Sequence, residues 1–161
     1  MKKIVTLGVY GFDREKFLRA LLDADVDTFC DIRLRRGMRG AEYAFANSQR
    51  LQKDLCELHI KYIHIKDLAP TRTIREKQNQ EDKEHGVAKR ARETLAQSFV
   101  DAYEKERLSN FDSQQFLARV GPEANIVCLF CVERRPDACH RSLVAQRLSR
   151  DLSVPVEDIM P

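Results

Sequence analysis

The stretch Ile126–Arg150, IVCLFCVERRPDACHRSLVAQRLSR, changes character twice, and those changes decide the fold. Its opening run, Ile126, Val127, Leu129, Phe130 and Val132, suits a strand covered on both faces, as strands of parallel sheets are. Cys131, Glu133, Arg134 and Arg135 then fall at the C-terminal end of that strand. Pro136 begins a turn, and Asp137 is placed to cap the next helix by accepting a first-turn backbone N–H. Cys139, His140 and Arg141 follow in that first turn. Unpaired amides and the positive end of the helix dipole favour an anion or a thiolate there.

Upstream, Ile4 to Val9 reads as a first strand. Gly8 and Gly11 bracket a tight loop before Asp13, a cap for a helix carrying Phe17, Leu18, Leu21 and Leu22. The glycines lack the third member of a dinucleotide-binding loop and the Gly-Lys-Ser/Thr ending of a phosphate loop. Asp27 to Ile32 is a second strand, whose alternation puts Asp31 and Arg33 on one side and Ile32 on the other. Arg33, Arg35, Arg36 and Arg39, interspersed with Gly37 and Gly40, read as a mobile basic loop. Such a loop is either a solvated surface or a phosphate clamp over the end of the sheet. Asn47 caps a second helix with Leu51, Leu55 and Leu58 at helical spacing, and Ile60 to Ile65 forms a third strand with His64 near its end.

Lys66 to Glu84 is polar and reads as a long charged loop. Val87, Ala91, Leu95, Phe99 and Ala102 predict a long helix continuing to about Leu108, with Lys89, Arg90 and Arg92 on its outer face. Asp112 and Gln115 make a capping-box variant for a short helix that Gly121-Pro122 terminates. Near the end, Val154-Pro155-Val156 suits a short edge strand, because Pro155 cannot donate to a ladder. Strands alternating with helices predict one three-layer α/β domain over residues 1–161. Its mainly parallel sheet of about five strands carries a variable loop-and-helix insertion at about 67–108. In such sheets ligands bind outside the carboxyl ends of the strands. That rule gathers Gly8 to Gly11, Asp31, Arg33, His64, Lys66, Cys131, Glu133 and the Cys139-His140-Arg141 turn onto one rim.

A chain of 161 residues can bury one substantial core. With 43% hydrophobic and 33% charged residues, it is expected to be globular with a heavily charged surface. A net charge of +3 does not demand a polyanionic partner; only local clustering of arginines argues for one. Five cysteines, an odd number scattered through predicted elements, fit a reducing cytoplasm better than a secreted disulfide scaffold. The N-terminal apolar run is too short for a signal peptide, and no stretch reaches membrane-spanning length, so no membrane partner is expected.

In three places the residues resemble the bacterial and archaeal family catalogued as domain of unknown function 488. These are the glycine-containing first loop, the strand ending Cys30-Asp31-Ile32-Arg33, and Cys131-Val132-Glu133-Arg134-Arg135-Pro136-Asp137-Ala138-Cys139-His140-Arg141-Ser142. The similarity covers most of the chain, with Thr71 to Arg92 a variable region. The first loop departs from the family, which commonly has Gly-His-Ser where this chain has Gly8-Val9-Tyr10. That family has no settled activity, so the resemblance implies a fold and a site rather than a reaction.

Three chemistries compete for the rim. An enzyme would draw on Asp31, Glu133, Cys139 and His140: Cys139 as nucleophile or packing, Glu133 or Asp31 as base or positioning group. Gly8, Tyr10, Arg33, Arg36, Arg134 and Arg141 would then bind the anionic, phosphate-bearing ligand. Adjacent first-turn side chains diverge by about 100°, so at most two of Cys139, His140 and Arg141 can share one site. Neither Cys131 nor Cys139 opens a Cys-x5-Arg loop, which counts against a tyrosine-phosphatase type. A zinc site is the second chemistry. Cys128 and Cys131 point to opposite faces of a regular strand, so it would use Cys131, Cys139 or His140 with a distant ligand. The third is a nucleic-acid-binding module, with the arginine loop and the basic segment Arg72 to Arg92 as a phosphate track and Tyr10 or Tyr43 stacking on a base. No cofactor is implied, and no metal ligands are assigned.

Overall fold

Five short runs rich in β-branched and aromatic residues pair into one sheet: Lys3–Gly8 (β1), Thr28–Asp31 (β2), Lys61–His64 (β3), Ile126–Cys131 (β4) and Val156–Ile159 (β5). Their order is β3-β2-β4-β1-β5, and every pairing is parallel. The coordinates are a computed structural model describing Met1–Pro161, the side chain of Lys89 excepted. The expectation placed on that side chain therefore lies outside the described residues. Between the strands run α1 (Arg14–Asp23), α2 (Ser48–Glu57), α3 (Arg72–Glu84), α4 (Gln97–Tyr103), α5 (Ser113–Val120) and α6 (His140–Leu152).

Alternation along the strands divides the core into two layers. Val5, Leu7, Phe29, Cys128 and Phe130 face α1 and α2, where Phe17, Leu21, Leu51 and Leu55 close over them. On the opposite face Ile4, Cys30, Leu129 and Cys131 pack with Ile74, Phe99, Phe116 and Val144 from α3, α4, α5 and α6. Cys128 and Cys131 therefore lie on opposite faces, as a regular strand requires. β4 sits between β2 and β1, so its C-terminal end adjoins strands whose outgoing helices take the other face. Such a reversal opens a crevice beyond the strand ends.

Local capping follows the side-chain chemistry in part. Asp13 accepts from the Lys16 amide at 2.8 Å, and Asp112 accepts from the amides of Gln114 and Gln115. Asp137 does not cap α6. It lies in a 3₁₀ turn, Pro136–Ala138, and Cys139 holds the N-cap position without a capping side-chain bond. Asn47 occupies the N-cap of α2, but its side-chain oxygen accepts from the Met38 amide and ties down the arginine loop instead.

Two expectations for the middle of the chain are corrected. The polar stretch is no loop beyond Thr71: α3 runs through it, capped by the Thr71 hydroxyl and burying Ile74 and Gln78. The helix expected from Val87 starts only at Gln97 and continues through a π-helical turn, Glu104–Leu108. Before it lie a 3₁₀ turn, Lys89–Ala91, and a segment whose Leu95 amide donates to the Asp137 carbonyl at 2.9 Å. Val87 is exposed, so it belongs to no apolar stripe. The last strand lies at the sheet edge beside β1, a little beyond Pro155.

Candidate functional site at the strand ends

A cavity of about 710 Å³ opens at the carboxyl ends of β2 and β4. Cys131, Cys139 and His140 line it from the inside of the fold, and all three are buried. Cys131 is the last residue of β4, Cys139 precedes α6, and His140 is the first residue of that helix. The turn between strand and helix thus folds residues eight and nine positions apart onto one point. His140 Nδ1 lies 3.8 Å from the sulfur of Cys131 and 3.9 Å from that of Cys139. Its Nε2 is 3.3 Å from the Ile32 carbonyl oxygen, which can only accept, so Nε2 donates there while Nδ1 faces the two sulfurs.

The two thiols differ in character. The hydrogen bond with Cys139, reinforced by burial, holds the Cys131 thiol well above the ordinary range. Burial pushes Cys139 up as well, but its bond from Cys131, His140 and the nearby Arg141 charge together outweigh it and bring the thiol well below that range. Of the two, Cys139 is therefore the readier to ionise, and Cys131 the one that keeps its proton.

Charge on the walls is one-sided. Arg33, Arg35 and Arg39 come from the loop after β2, Arg72 and Arg75 from α3, and Arg90 and Arg92 from the segment before α4. Glu76 and Glu133 are the carboxylates among the lining residues. Arg72 pairs with Glu76 at 2.7 Å, and Arg92 with Asp82 and, at 3.9 Å, Glu133. Arg90 lies over the rings of Tyr10 and Tyr43. Arg35, Arg39 and Arg75 make no salt bridge among the described residues.

Arg33 is the deepest of these cations, 2% exposed. Its Nε and Nη2 donate to the two oxygens of Asp31 at 2.9 and 2.7 Å, and Nη2 also reaches the Ala46 carbonyl. Its guanidinium lies 4.6 Å from the Phe130 ring centre. Nη1 is buried and has no hydrogen-bond partner among the described residues.

Of the residues singled out by sequence, Tyr10, Arg33, Glu133, Cys139 and His140 line this cavity. Asp31 stands behind it, wholly buried, as the anchor of Arg33. Arg36 turns away to a separate shallow recess with Asn47 and Ser48, and Arg134 lies against Gly11. Gly8 is not among the residues that line this cavity. A Cβ there would lie 1.8 Å from the Glu133 carbonyl oxygen, so glycine is needed for β1 to pass this close to the loop after β4. Arg141 leaves the rim entirely: fully buried, it donates to Thr6 Oγ1 at 3.1 Å and to the carbonyls of Glu133 and Arg134. The divergence expected in the first turn is thus met by sending Arg141 inward, while Cys139 and His140 stay together. His64 donates from Nε2 to the Arg33 carbonyl at 2.8 Å, a positioning contact.

Cys131, placed on the rim and among the zinc candidates by sequence, also lines the cavity, together with Gln78 and Asn79, which sequence reasoning did not single out. Cys131 carried a usable signal, since it ends the same strand face as Leu129. Gln78 and Asn79 carried none, because their helix was itself read as a loop.

No curated protein and no solved structure matches the chain. A family model does match, over residues 13–148, a span that takes in α1, both thiols of the cavity and most of α6. The chain belongs to the family described as domain of unknown function DUF488.

Proposed function

We propose that the cavity binds a phosphate-bearing small molecule and that the protein is an enzyme acting on it. The observation that carries this reading is the orphaned Nη1 of Arg33. A buried guanidinium N–H without an acceptor costs about 1–3 kcal/mol or more, and an anionic oxygen at the cavity floor would supply that acceptor. The unpaired Arg35, Arg39 and Arg75 add positive charge that bidentate phosphate recognition uses. A volume of about 710 Å³ is of the size that small-molecule sites have, and it suits a nucleotide better than an extended track suits a polymer. Thiol, imidazole and carboxylate groups of Cys139, His140 and Glu133 share the same cavity, which favours catalysis over simple storage. Five free thiols suit a reducing compartment such as the cytoplasm, and no helix is long and apolar enough to cross a membrane.

Calorimetric titration with inorganic phosphate, pyrophosphate and a nucleoside monophosphate tests the binding. Binding by at least one of them, weakened about 10-fold or more by Arg75→Glu or Arg35→Glu, is expected. Equal affinity in wild type and both variants would sink the reading. A non-catalytic nucleic-acid contact would instead bind oligonucleotides more tightly than monomers, with a steep salt dependence.

A further inference from the structure

Cys131, Cys139 and His140 carry a second chemistry that the arginine walls do not explain. Their ligand atoms all lie within 4.8 Å of one another, from two elements and the turn between them. A tetrahedral zinc ion with Zn–S near 2.3 Å and Zn–N near 2.0–2.1 Å sets its sulfurs about 3.8 Å apart and each sulfur about 3.5 Å from the nitrogen. The two sulfur–nitrogen distances here, 3.8 and 3.9 Å, need to close by only a few tenths of an ångström. The imidazole is already prepared. Donation from Nε2 to the Ile32 carbonyl sets the tautomer that leaves Nδ1 as ligand, which is the outer-shell bond that metal-bound histidines make.

Two further features point the same way. Cys139 stands at the N-cap of α6, where Ser, Thr, Asp or Asn would bond to the first-turn amides, yet its side chain makes no capping bond. A residue that forgoes the local stabilisation of its position is one whose side chain is used elsewhere. Arg141, fully buried, donates only to neutral oxygens and has no carboxylate partner among the described residues. A buried cation needs a compensating negative charge nearby. Two thiolates neutralise a zinc dication, so Arg141 is balanced when the fourth ligand is itself anionic.

We propose that Cys131, Cys139 and His140 bind a zinc ion, whose fourth position, on the side where these residues line the cavity, takes a hydroxide or an anionic ligand. Thiolate with imidazole is a donor set that selects zinc over harder dications, and three protein ligands with one exchangeable position is the arrangement of catalytic rather than structural zinc. Cys139 is then a ligand and not a nucleophile. No distant fourth protein ligand is needed. The metal site itself stands apart from the phosphate-cavity reading; only the nature of the natural fourth ligand rests on it.

The test uses the full chain, reduced, stripped with a chelator and titrated with Zn2+ or Co2+ alone. One equivalent of tightly bound zinc is expected, and cobalt should give the visible bands of a tetrahedral site with sulfur-to-metal charge transfer. Cys131→Ser, Cys139→Ser and His140→Ala should each weaken zinc binding about 100-fold or more, whereas Cys56→Ser, an exposed thiol on α2, should leave it unchanged. Azide added to the cobalt protein should shift those bands, because the fourth position is exchangeable. Substoichiometric uptake by wild type, or a cobalt spectrum without sulfur charge transfer, would overturn the site, and neither depends on whether a variant folds. A cobalt spectrum indifferent to azide would overturn the exchangeable position. Phosphate titration of the zinc-free protein keeps the two readings apart: loss of phosphate binding with zinc uptake intact refutes the cavity reading alone, and the reverse refutes the metal alone.

Discussion

Asp31 gathers four donors onto one buried carboxylate: the Arg33 amide, two nitrogens of its guanidinium, and the Tyr62 hydroxyl at 2.8 Å. Removing the charge while keeping the shape isolates what that arrangement contributes. Asp31→Asn leaves a buried guanidinium uncompensated, so a loss of about 3–5 kcal/mol in urea unfolding is expected; a loss below about 1 kcal/mol would mean that water reaches the pair. The same carboxylate bears on pH. Burial first, and then the charge of Asp31, push the Tyr62 phenol up to about 12. The folded state therefore holds that proton more tightly than the unfolded chain does. Stability from this source is complete below the ordinary phenol value and is lost as pH rises toward 12. Unfolding midpoints measured from pH 9 to 11.5 should fall, and fall less steeply in Tyr62→Phe. Tyr103, also raised by burial, keeps the variant from becoming flat. Equal slopes in the two proteins would contradict the assignment.

At the scale of elements, Asp27 does for strand starts what Asp31 does for strand ends. Its carboxylate accepts from the amides of Asn125 and Ile126, both oxygens engaged, and its carbonyl accepts from Lys61, so the entries to β3 and β4 meet on one residue. Asp27→Ala should cost about 2 kcal/mol in thermal or urea unfolding, with no change in zinc stoichiometry, because the cavity lies at the other end of the sheet. Legibility in the sequence varied by element for a physical reason. β4 was plain because burial on both faces leaves an unbroken apolar run. α3 was hidden because it buries only Ile74 and Gln78, too narrow a stripe to show a period. Its helical character is carried by pairs four residues apart, Arg72 with Glu76, Gln78 with Asp82 and Gln80 with Glu84. Conversely, Val87, Ala91 and Leu95 kept helical spacing without a helix, since the Leu95 amide bonds to Asp137 across the cavity wall rather than along its own chain.

Across the whole molecule, the carboxyl-end rule anticipates where the cavity opens because it depends on topology alone. Which side chains occupy that site depends on rotations of a single residue, and no strand or helix period reports them. One step along α6 separates His140, which lines the cavity, from Arg141, which is wholly enclosed beside β1. For Gly8 the structure supplies a packing reason that no sequence period reports: the backbone of Glu133 runs where a Cβ would stand.

The central position of β4 also sets an order of events during synthesis. β1 and β2 are made first, but they do not touch as neighbours in the sheet; the strand that joins them begins at residue 126. Until the ribosome has passed that point, the nascent chain has helices and one β2–β3 pair but no closed core, and its apolar strand edges are open to other chains. Closing contacts separated by about a hundred residues or more is slow. Because β4 carries Cys131 at its tip, the same late insertion brings its sulfur beside Cys139, just ahead of α6, and His140, its first residue, so the cluster is expected to assemble only as the sheet closes.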